Sequence, residues 1–189
     1  MQQTKLIESL CLVKQECSQF LSEQIEVPLY KALPNHYDMC CKVKARKQKK
    51  SDTLSEIFNK AFESKHYNIR QRAIITYSTP PVLYDSSELF YIFPIDGYKF
   101  MYSKEVTNST RSYKQVIDVL FDRFDNDNDA INIITDLLKF SYSTVLLKEG
   151  IDARAEIIFY GIPYYYAIRT DLFPNYAELI VQINNYNTI

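Results

Sequence analysis

The spacing of apolar residues changes repeatedly along the chain, and this constrains the fold more than any single motif does. Between Leu6 and Leu21, apolar side chains recur at steps of four and three, which places them along one face of an amphipathic helix. Between Tyr37 and Arg46 they alternate with polar ones, as in a strand with one buried face. Segments of both kinds follow one another through the rest of the sequence. The sequence therefore predicts an α+β fold, a mixed sheet with amphipathic helices packed mainly on one face.

The chain of 189 residues is long enough for one domain with a substantial core, and we expect a single domain over 1–189. Its predicted parts are an N-terminal helix in 1–25, a basic strand, helix and hairpin region in 36–103, a helical hairpin in 112–150, and a second β-hairpin with a C-terminal helix in 154–189.

Two glycine-containing turns predict β-hairpins. Asp96-Gly97 lies between apolar segments within 89–102, and this pair suits a type I′ turn because both central positions need positive φ. Gly161 lies in a second turn, between apolar segments within 156–168. We expect the two strands that flank each turn to pair with each other.

The helical hairpin has its own start signals and a predicted inner face. Ser112 and Gln115 have the spacing of a capping box at the start of the first helix. Gly150 is a predicted terminator of the second helix. The residues of the second helix that we expect to face inward are Ile133, Ile134, Leu137 and Leu138.

The sequence has no common pattern of an active site or a cofactor site. Its three glycines, at 97, 150 and 161, are too dispersed for a phosphate-binding loop, in which glycines cluster. His36 and Cys40 share a strand face but lie about 13 Å apart at the usual rise, too far for a Cys-His pair. We expect a non-enzymatic protein with no cofactor.

Two groups of residues resemble metal sites, and a structural interpretation is favoured for each. A zinc site from His36, Cys40, Cys41 and His66 is disfavoured because adjacent cysteines on a strand point to opposite faces. The acidic segment 125–129 with Asp136 has the oxygen spacing of a calcium loop, but Ala130 stands where that loop needs glycine. We interpret the segment as a polar connection in which Asn128 or Asp129 caps the next helix, and expect no metal.

The four cysteines, at 11, 17, 40 and 41, include no CxxC pair, which predicts free thiols in a reducing compartment. Glu8 and Ser9 interrupt the first apolar segment, so it does not resemble the core of a signal peptide. The longest apolar run, near 157–168, is shorter than the roughly 20 residues of a membrane span. We therefore predict a protein that is not secreted, does not bind membranes and lies in a reducing cytoplasm.

A dense run of cations is the main surface feature that the sequence predicts. If every second residue from Tyr37 to Ala45 turns inward, the lysines between them share the outer face. A right-handed crossover after this strand would place a second strand, near 69–77, parallel beside it. Such a surface suits nucleic-acid phosphates or an acidic protein. The predicted binding residues are Lys42, Lys44, Arg46, Lys47, Lys49, Lys50, Arg70 and Arg72.

Charge and aromatic content indicate protein partners. Residues 1–72 hold 13 Lys or Arg against 8 Asp or Glu, whereas the remaining residues hold 9 against 15. The chain also has 16 Tyr and 11 Phe, residue types that favour interfaces. This polarity suits a homo-oligomer, such as a ring, or a larger assembly.

The order of elements, an N-terminal helix and then a sheet with helices on one side, resembles that of the small tail-terminator and neck proteins of tailed bacteriophages. The resemblance implies a structural protein that closes a tail or joins head to tail, first in the host cytoplasm and then in the virion. It also implies that the basic strand face meets a neighbouring subunit or DNA.

Two alternatives remain open at this point. The first is a phage-type effector that binds and inhibits a host protein or nucleic acid through its basic face. The second is an enzyme with an unfamiliar site.

Overall fold

The computed structural model describes residues 2–23, 25–45, 53–62, 73–106, 109–124 and 126–186. Helices and strands alternate through these residues, which confirms the predicted α+β class. In chain order, the elements are α1 (Gln2–Glu16), α2 (Ser18–Ser22), β1 (Tyr30–Pro34), β2 (Cys40–Lys44), α3 (Thr53–Ala61), β3 (Ile74–Tyr77), β4 (Ser87–Pro94), β5 (Lys99–Tyr102), α4 (Ser109–Arg123), α5 (Asp127–Ser141), α6 (Leu147–Asp152), β6 (Glu156–Tyr160), β7 (Tyr164–Arg169), a 3-10 turn (Thr170–Leu172) and α7 (Tyr176–Asn185).

The chain divides into two compact units, each built from more than one segment. The first unit comprises 1–45, 76–98 and 162–189, and the second comprises 46–75 and 99–161. The two units therefore share one chain that passes between them repeatedly. That 1–189 folds as a single domain stays a prediction.

The first unit contains an antiparallel sheet with the strand order β2-β7-β4-β1. Tyr77, the last residue of β3, pairs with Tyr30 of β1. The central strand β4 reads Leu89 to Pro94 without a polar residue, as expected of a strand whose two faces are both buried.

Aromatic rings connect β4 to the helices of this unit. The Phe93 ring lies 5.9 Å from that of Phe20 on α2, edge to face, and 6.3 Å from that of Tyr176 on α7. Lys14 of α1 donates to the carbonyl oxygens of Asn184 and Tyr186, at 2.7 and 2.8 Å. The N-terminal and C-terminal helices are therefore joined to one another as well as to the sheet.

The predicted N-terminal helix is confirmed, with an interruption. Leu10, Val13 and Phe20 are buried as their spacing predicts. At Cys17 the backbone leaves the helical conformation, at φ −119°, and the thiol lies 3.6 Å from the carbonyl oxygen of Phe93. The stripe is therefore continuous, although the helix is divided into α1 and α2.

The described residues of the second unit form the antiparallel pair β5 and β6 and the helices α3, α4, α5 and α6. Helix α3 packs on α4 and α5, and α6 packs on the two strands. The Phe58 ring meets the Tyr142 ring edge to face at 5.3 Å. The buried residues of this core are Leu54, Ile57, Phe58, Ala61, Met101, Val106, Tyr113, Ile134, Leu138, Tyr142 and Ile158.

Neither predicted β-hairpin forms. β4 pairs with β1 and β7, whereas β5 pairs with β6, so the strands around Asp96-Gly97 have different partners. The strands around Gly161 also separate, because β7 pairs with β2 and β4. Gly97 and Gly161 do have positive φ, at 84° and 86°. Both glycine turns lie next to points where the chain leaves one unit for the other.

The Asp96-Gly97 turn is held in place by hydrogen bonds to the start of α2. The Asp96 carboxylate accepts hydrogen bonds from the Ser18 hydroxyl at 2.6 Å and the Gln19 backbone N–H at 2.8 Å, which caps the start of α2. The Gly97 N–H in turn donates to the Gln19 side chain at 3.0 Å. The turn is therefore fixed against a helix rather than by pairing of its flanking strands.

The expected parallel crossover is also wrong. β2 and β3 are not neighbours, because β7, β4 and β1 lie between them. The strand pairings described here are all antiparallel, so this part of the mixed-sheet prediction is not met. The sequence contained no signal for the insertion of β7, which comes from a distant segment.

The start of α4 differs from the predicted capping box. The helix begins at Ser109, so Ser112 lies inside it. The buried carboxylate of Glu156 on β6 accepts hydrogen bonds from the backbone N–H and the hydroxyl of Ser109. A carboxylate at this end of a helix is favoured by the helix dipole.

Gly150 does not terminate α5, which ends at Ser141, but lies inside α6. None of the helices in the described ranges combines the length and apolar character that a membrane crossing requires.

Candidate docking surfaces

Two of the eight predicted binding residues lie in the described part of the chain. Lys42 and Lys44 are exposed on one side of β2, and Val43 between them is buried, as the alternation predicts. The residues that lie outside the described ranges are Arg46, Lys47, Lys49, Lys50, Arg70 and Arg72.

The ammonium group of Lys42 has partners within its own unit. It donates to the Glu16 carboxylate at 2.6 Å, and this hydrogen bond raises the lysine pKa. It also lies 5.4 Å from the ring centroids of both Tyr164 and Tyr166, within cation–π range. Burial, together with the Glu16 charge, raises the pKa of Tyr166 to about 12. The positive charge of Lys42 is therefore partly balanced inside the protein.

Lys42 and Lys44 project to the same face of the sheet as the residues that pack against the helices. The prediction had placed them on the opposite face. Lys42 is opposite Tyr166, which is opposite Phe93, and directly opposed residues of antiparallel strands project to one face. The Phe93 ring contacts rings on α2 and α7. The lysines therefore lie at the margin of the helix-covered face.

The predicted inward row is only partly correct. Val43 is buried, but Met39 is 41% exposed and Tyr37 is half-buried with its ring stacked on that of His36. β2 begins only at Cys40, so Met39 lies before the strand and the alternation of the strand does not apply to it.

The position of β2 in the sheet suggests another role for its lysines. In the first unit no described strand lies beyond β2, which pairs with β7 alone. Lysines on an edge strand oppose pairing with further strands, because an added strand would have to desolvate their charges. Lys42 and Lys44 are therefore suited to protecting this edge.

A second surface, in the second unit, consists of apolar side chains that face solvent. Phe140 is 91% exposed, and Val145 and Leu146 in the following loop are 65% and 62% exposed. Ile133 and Leu137, at 38% and 44%, continue the row along α5. We call these five residues the α5 surface.

The α5 surface corrects the predicted inner face of this helix. Ile134 and Leu138 are fully buried in the core, as predicted, but Ile133 and Leu137 point away from it. The two pairs have the same four-residue spacing, so periodicity alone cannot separate an inward stripe from an adjacent outward one. Helices α3 and α4 pack on α5 but bury only the stripe of Ile134 and Leu138, and the adjacent stripe of Ile133 and Leu137 stays exposed.

The loop after α5 is held in an unusual conformation. Leu146 has φ 58°, in the left-handed region, where a residue other than glycine costs about 1–2 kcal/mol. Ser143 forms an antiparallel bridge with Tyr102, and the Tyr102 hydroxyl donates to the carbonyl oxygen of Val145 at 3.0 Å. These contacts fix a strained backbone that presents two apolar side chains, Val145 and Leu146, to solvent.

The cysteines are free thiols, and burial keeps Cys17, Cys40 and Cys41 protonated. Burial raises the pKa of Cys40 to about 11 and that of Cys41 to about 12, and it raises the pKa of Cys17 further still. A thiol, unlike a thiolate, is a weak nucleophile and a weak ligand. Among the residues the structure describes, no group of three or more His, Cys, Asp or Glu side chains could hold a metal ion. His66 lies outside these residues.

Residues 126–129 of the acidic segment form the start of α5, and Asp125 lies outside the described residues. Asn126 is the cap, and its side chain accepts from the Asn128 N–H at 3.0 Å, which corrects the predicted caps Asn128 and Asp129 by two or three residues. Asp127 and Asp129 lie in the first turn, where the helix dipole favours carboxylates.

Comparison with known proteins does not assign either surface. No protein-family model, curated protein or solved structure matches the chain.

Proposed function

We propose that the protein is a non-enzymatic assembly protein that binds another protein through the α5 surface. The observation that supports this most directly is the exposure of Phe140 together with four further apolar side chains along one helix and its following loop. Fully burying a large apolar side chain is worth about 1.5–3 kcal/mol, so a partner that covers this surface gains a substantial driving force.

The composition of the surface fits an interface. Aromatic residues at the centre of a patch contribute most to protein–protein affinity, and Phe140 is the largest side chain of the row. The contacts of Ser143 and Tyr102 hold the adjacent loop before a partner arrives. Less conformational entropy is then lost on binding.

Site-specific photo-crosslinking tests this proposal. A photoreactive amino acid replaces Phe140 in one variant and Val82, an exposed apolar residue of the first unit, in a matched control. In cells that naturally make the protein, we expect protein adducts from position 140 well above those from position 82. Equal or absent adducts from position 140 contradict the proposal.

The narrower prediction, a component of the neck or tail end of a phage virion, rests on the order of elements alone. It predicts that the protein co-sediments with purified virus particles. Recovery only in the soluble host fraction favours the alternative of an effector that acts on a host protein.

A second candidate function is binding of nucleic acid or an acidic protein through the basic tract. The observation in its favour is that Lys44 is exposed beside Lys42 on the edge strand. If both contact phosphates of duplex DNA, K42A/K44A should reduce the slope of log affinity against log salt by about two. The K5A/K99A double variant, which removes two exposed lysines elsewhere, should leave the slope unchanged.

A further inference from the structure

We propose that the α5 surface binds a second copy of this chain, with the two α5 helices antiparallel about a two-fold axis. The inference rests on the proposed function and names its partner.

The apolar row has the spacing of a helix–helix contact. Ile133, Leu137 and Phe140 follow one another at steps of four and three, which keeps them on one stripe of the helix. All three are exposed, whereas Ile134 and Leu138 on the neighbouring stripe are buried. Ala130, one turn before Ile133, is also buried, so the exposed row begins at Ile133. A second helix with the same stripe can therefore lie along the first without disturbing the core.

The charges beside the stripe are self-complementary. Asp136 and Lys139 are both exposed, and at about 100° per residue both lie on the same side of the apolar row. In an antiparallel pair centred between Leu137 and Leu138, Asp136 of each copy lies opposite Lys139 of the other. A parallel pair would instead place this flank against the opposite flank of the partner, so Asp136 and Lys139 would not face each other.

The two ends of α5 also favour the antiparallel arrangement. An antiparallel partner opposes the two helix dipoles, whereas a parallel partner aligns them. In the antiparallel pair, Phe140 rests on the turn between Ile133 and Leu137 of the second copy.

A two-fold contact closes at two copies, since the same patch is used by both. The proposed contact therefore gives a dimer and nothing larger, whereas an unspecific apolar surface would give aggregates of no defined size. The proposed dimer also differs from the predicted ring, which needs two different patches on each copy and stays a prediction.

Charge-reversal variants of the purified full-length chain test the pairing. By sedimentation equilibrium we expect a dimer for the unmodified protein and a dissociation constant weakened at least about tenfold for D136K and for K139D alone. An equimolar mixture of the two variants should restore the dimer as a heterodimer, because all four facing charges are then complementary. The double variant D136K/K139D should dimerise with itself.

Further outcomes separate failure of this inference from failure of the proposed function. L137D should be monomeric, whereas the control V82D, at an exposed apolar position of the first unit, should remain dimeric with an unchanged far-ultraviolet spectrum. A monomer at about 0.1 mM, or a mixture that does not restore the dimer, overturns the inference. If position 140 nevertheless crosslinks to a different protein, the proposed function stands; if it crosslinks to none, both fail.

Discussion

Gly150 packs so closely against Tyr102 that there is no space for a Cβ atom. A Cβ at this position would lie 2.5–2.8 Å from three atoms of the Tyr102 ring, closer than real Cβ contacts. Tyr102 is fully buried, and its hydroxyl bonds to the carbonyl of Val145, so the ring has little freedom to move. The glycine is needed for close packing of α6 against β5.

We expect Gly150→Ala to lower the free energy of unfolding by about 1–3 kcal/mol through overpacking. Urea denaturation monitored by circular dichroism measures the change. Lys148→Ala, at an exposed position of the same helix, is the control and should change stability by less than about 0.5 kcal/mol. Equal stability of the two variants would contradict the close packing of Gly150 on Tyr102.

The buried thiols predict a loss of stability at alkaline pH. Burial raises the pKa of Cys40 from 9.0 to about 11, so above pH 9 the unfolded chain ionises this thiol while the folded chain does not. The unfolded state is thereby favoured, and stability should fall as the pH rises from 9 towards 11. Urea midpoints across this range measure the effect, and Cys40→Ala should make the decline shallower. A decline of the same steepness in that variant would exclude Cys40 as a cause.

The sequence was sufficient to predict that the cysteines are free, but not the role of Gly150. The lack of CxxC spacing and the alternation of Cys40 and Cys41 were sufficient to predict free thiols, and the structure confirms them. The role of Gly150 depends on a tyrosine 48 positions earlier in the chain, and no local pattern reveals that contact.

Among the secondary-structure elements, α2 depends on a cap from a distant turn. Asp96 supplies the carboxylate that accepts from Ser18 and Gln19 at the start of this five-residue helix. A helix this short has little stability of its own. Its position over Phe93 therefore depends on the cap and on the burial of Phe20.

We expect Asp96→Ala to cost about 1 kcal/mol of stability, the usual loss for a helix cap. Asp96→Asn keeps an acceptor for the Gln19 N–H and should recover most of the loss. Thermal unfolding of the three proteins side by side gives the ranking. An alanine variant as stable as the asparagine variant would show that the cap does not contribute.

The elements themselves were largely predictable, but their partners were not. Apolar periodicity located the N-terminal helix and the helices α4 and α5, because each has one buried stripe. The predicted strand pairing was wrong at both glycine turns. A glycine with positive φ fits a turn whether the next strand pairs with the preceding one or with a different strand. The α5 surface was missed because its stripe repeats the spacing of the buried one.

In the whole molecule, each of the two units is built from segments that are not continuous in the sequence. The core of the second unit needs Ile57 and Phe58 of α3 as well as residues between 99 and 161. No continuous segment therefore contains this unit without also containing residues 76–98 of the first.

We expect the fragment 99–161 alone to lack a fixed core, because the partners of Tyr142 and Ile134 on α3 are missing. Its proton–nitrogen NMR spectrum should be poorly dispersed. Addition of a peptide spanning 46–75 should restore dispersion. A well-dispersed spectrum of 99–161 alone would show that α3 is dispensable for this core.

The bonds from Lys14 to the end of α7 have a consequence for protein engineering. The end of α7 meets α1 at Lys14, and Gln2 lies about 18 Å away along α1. A flexible linker that follows α1 over this distance could join Tyr186 to Gln2, and new ends could be opened in the exposed loop near Val82. A circularly permuted gene of this kind would change the order of synthesis while retaining every strand pair, and would reveal whether the N-terminal helix has to emerge from the ribosome first.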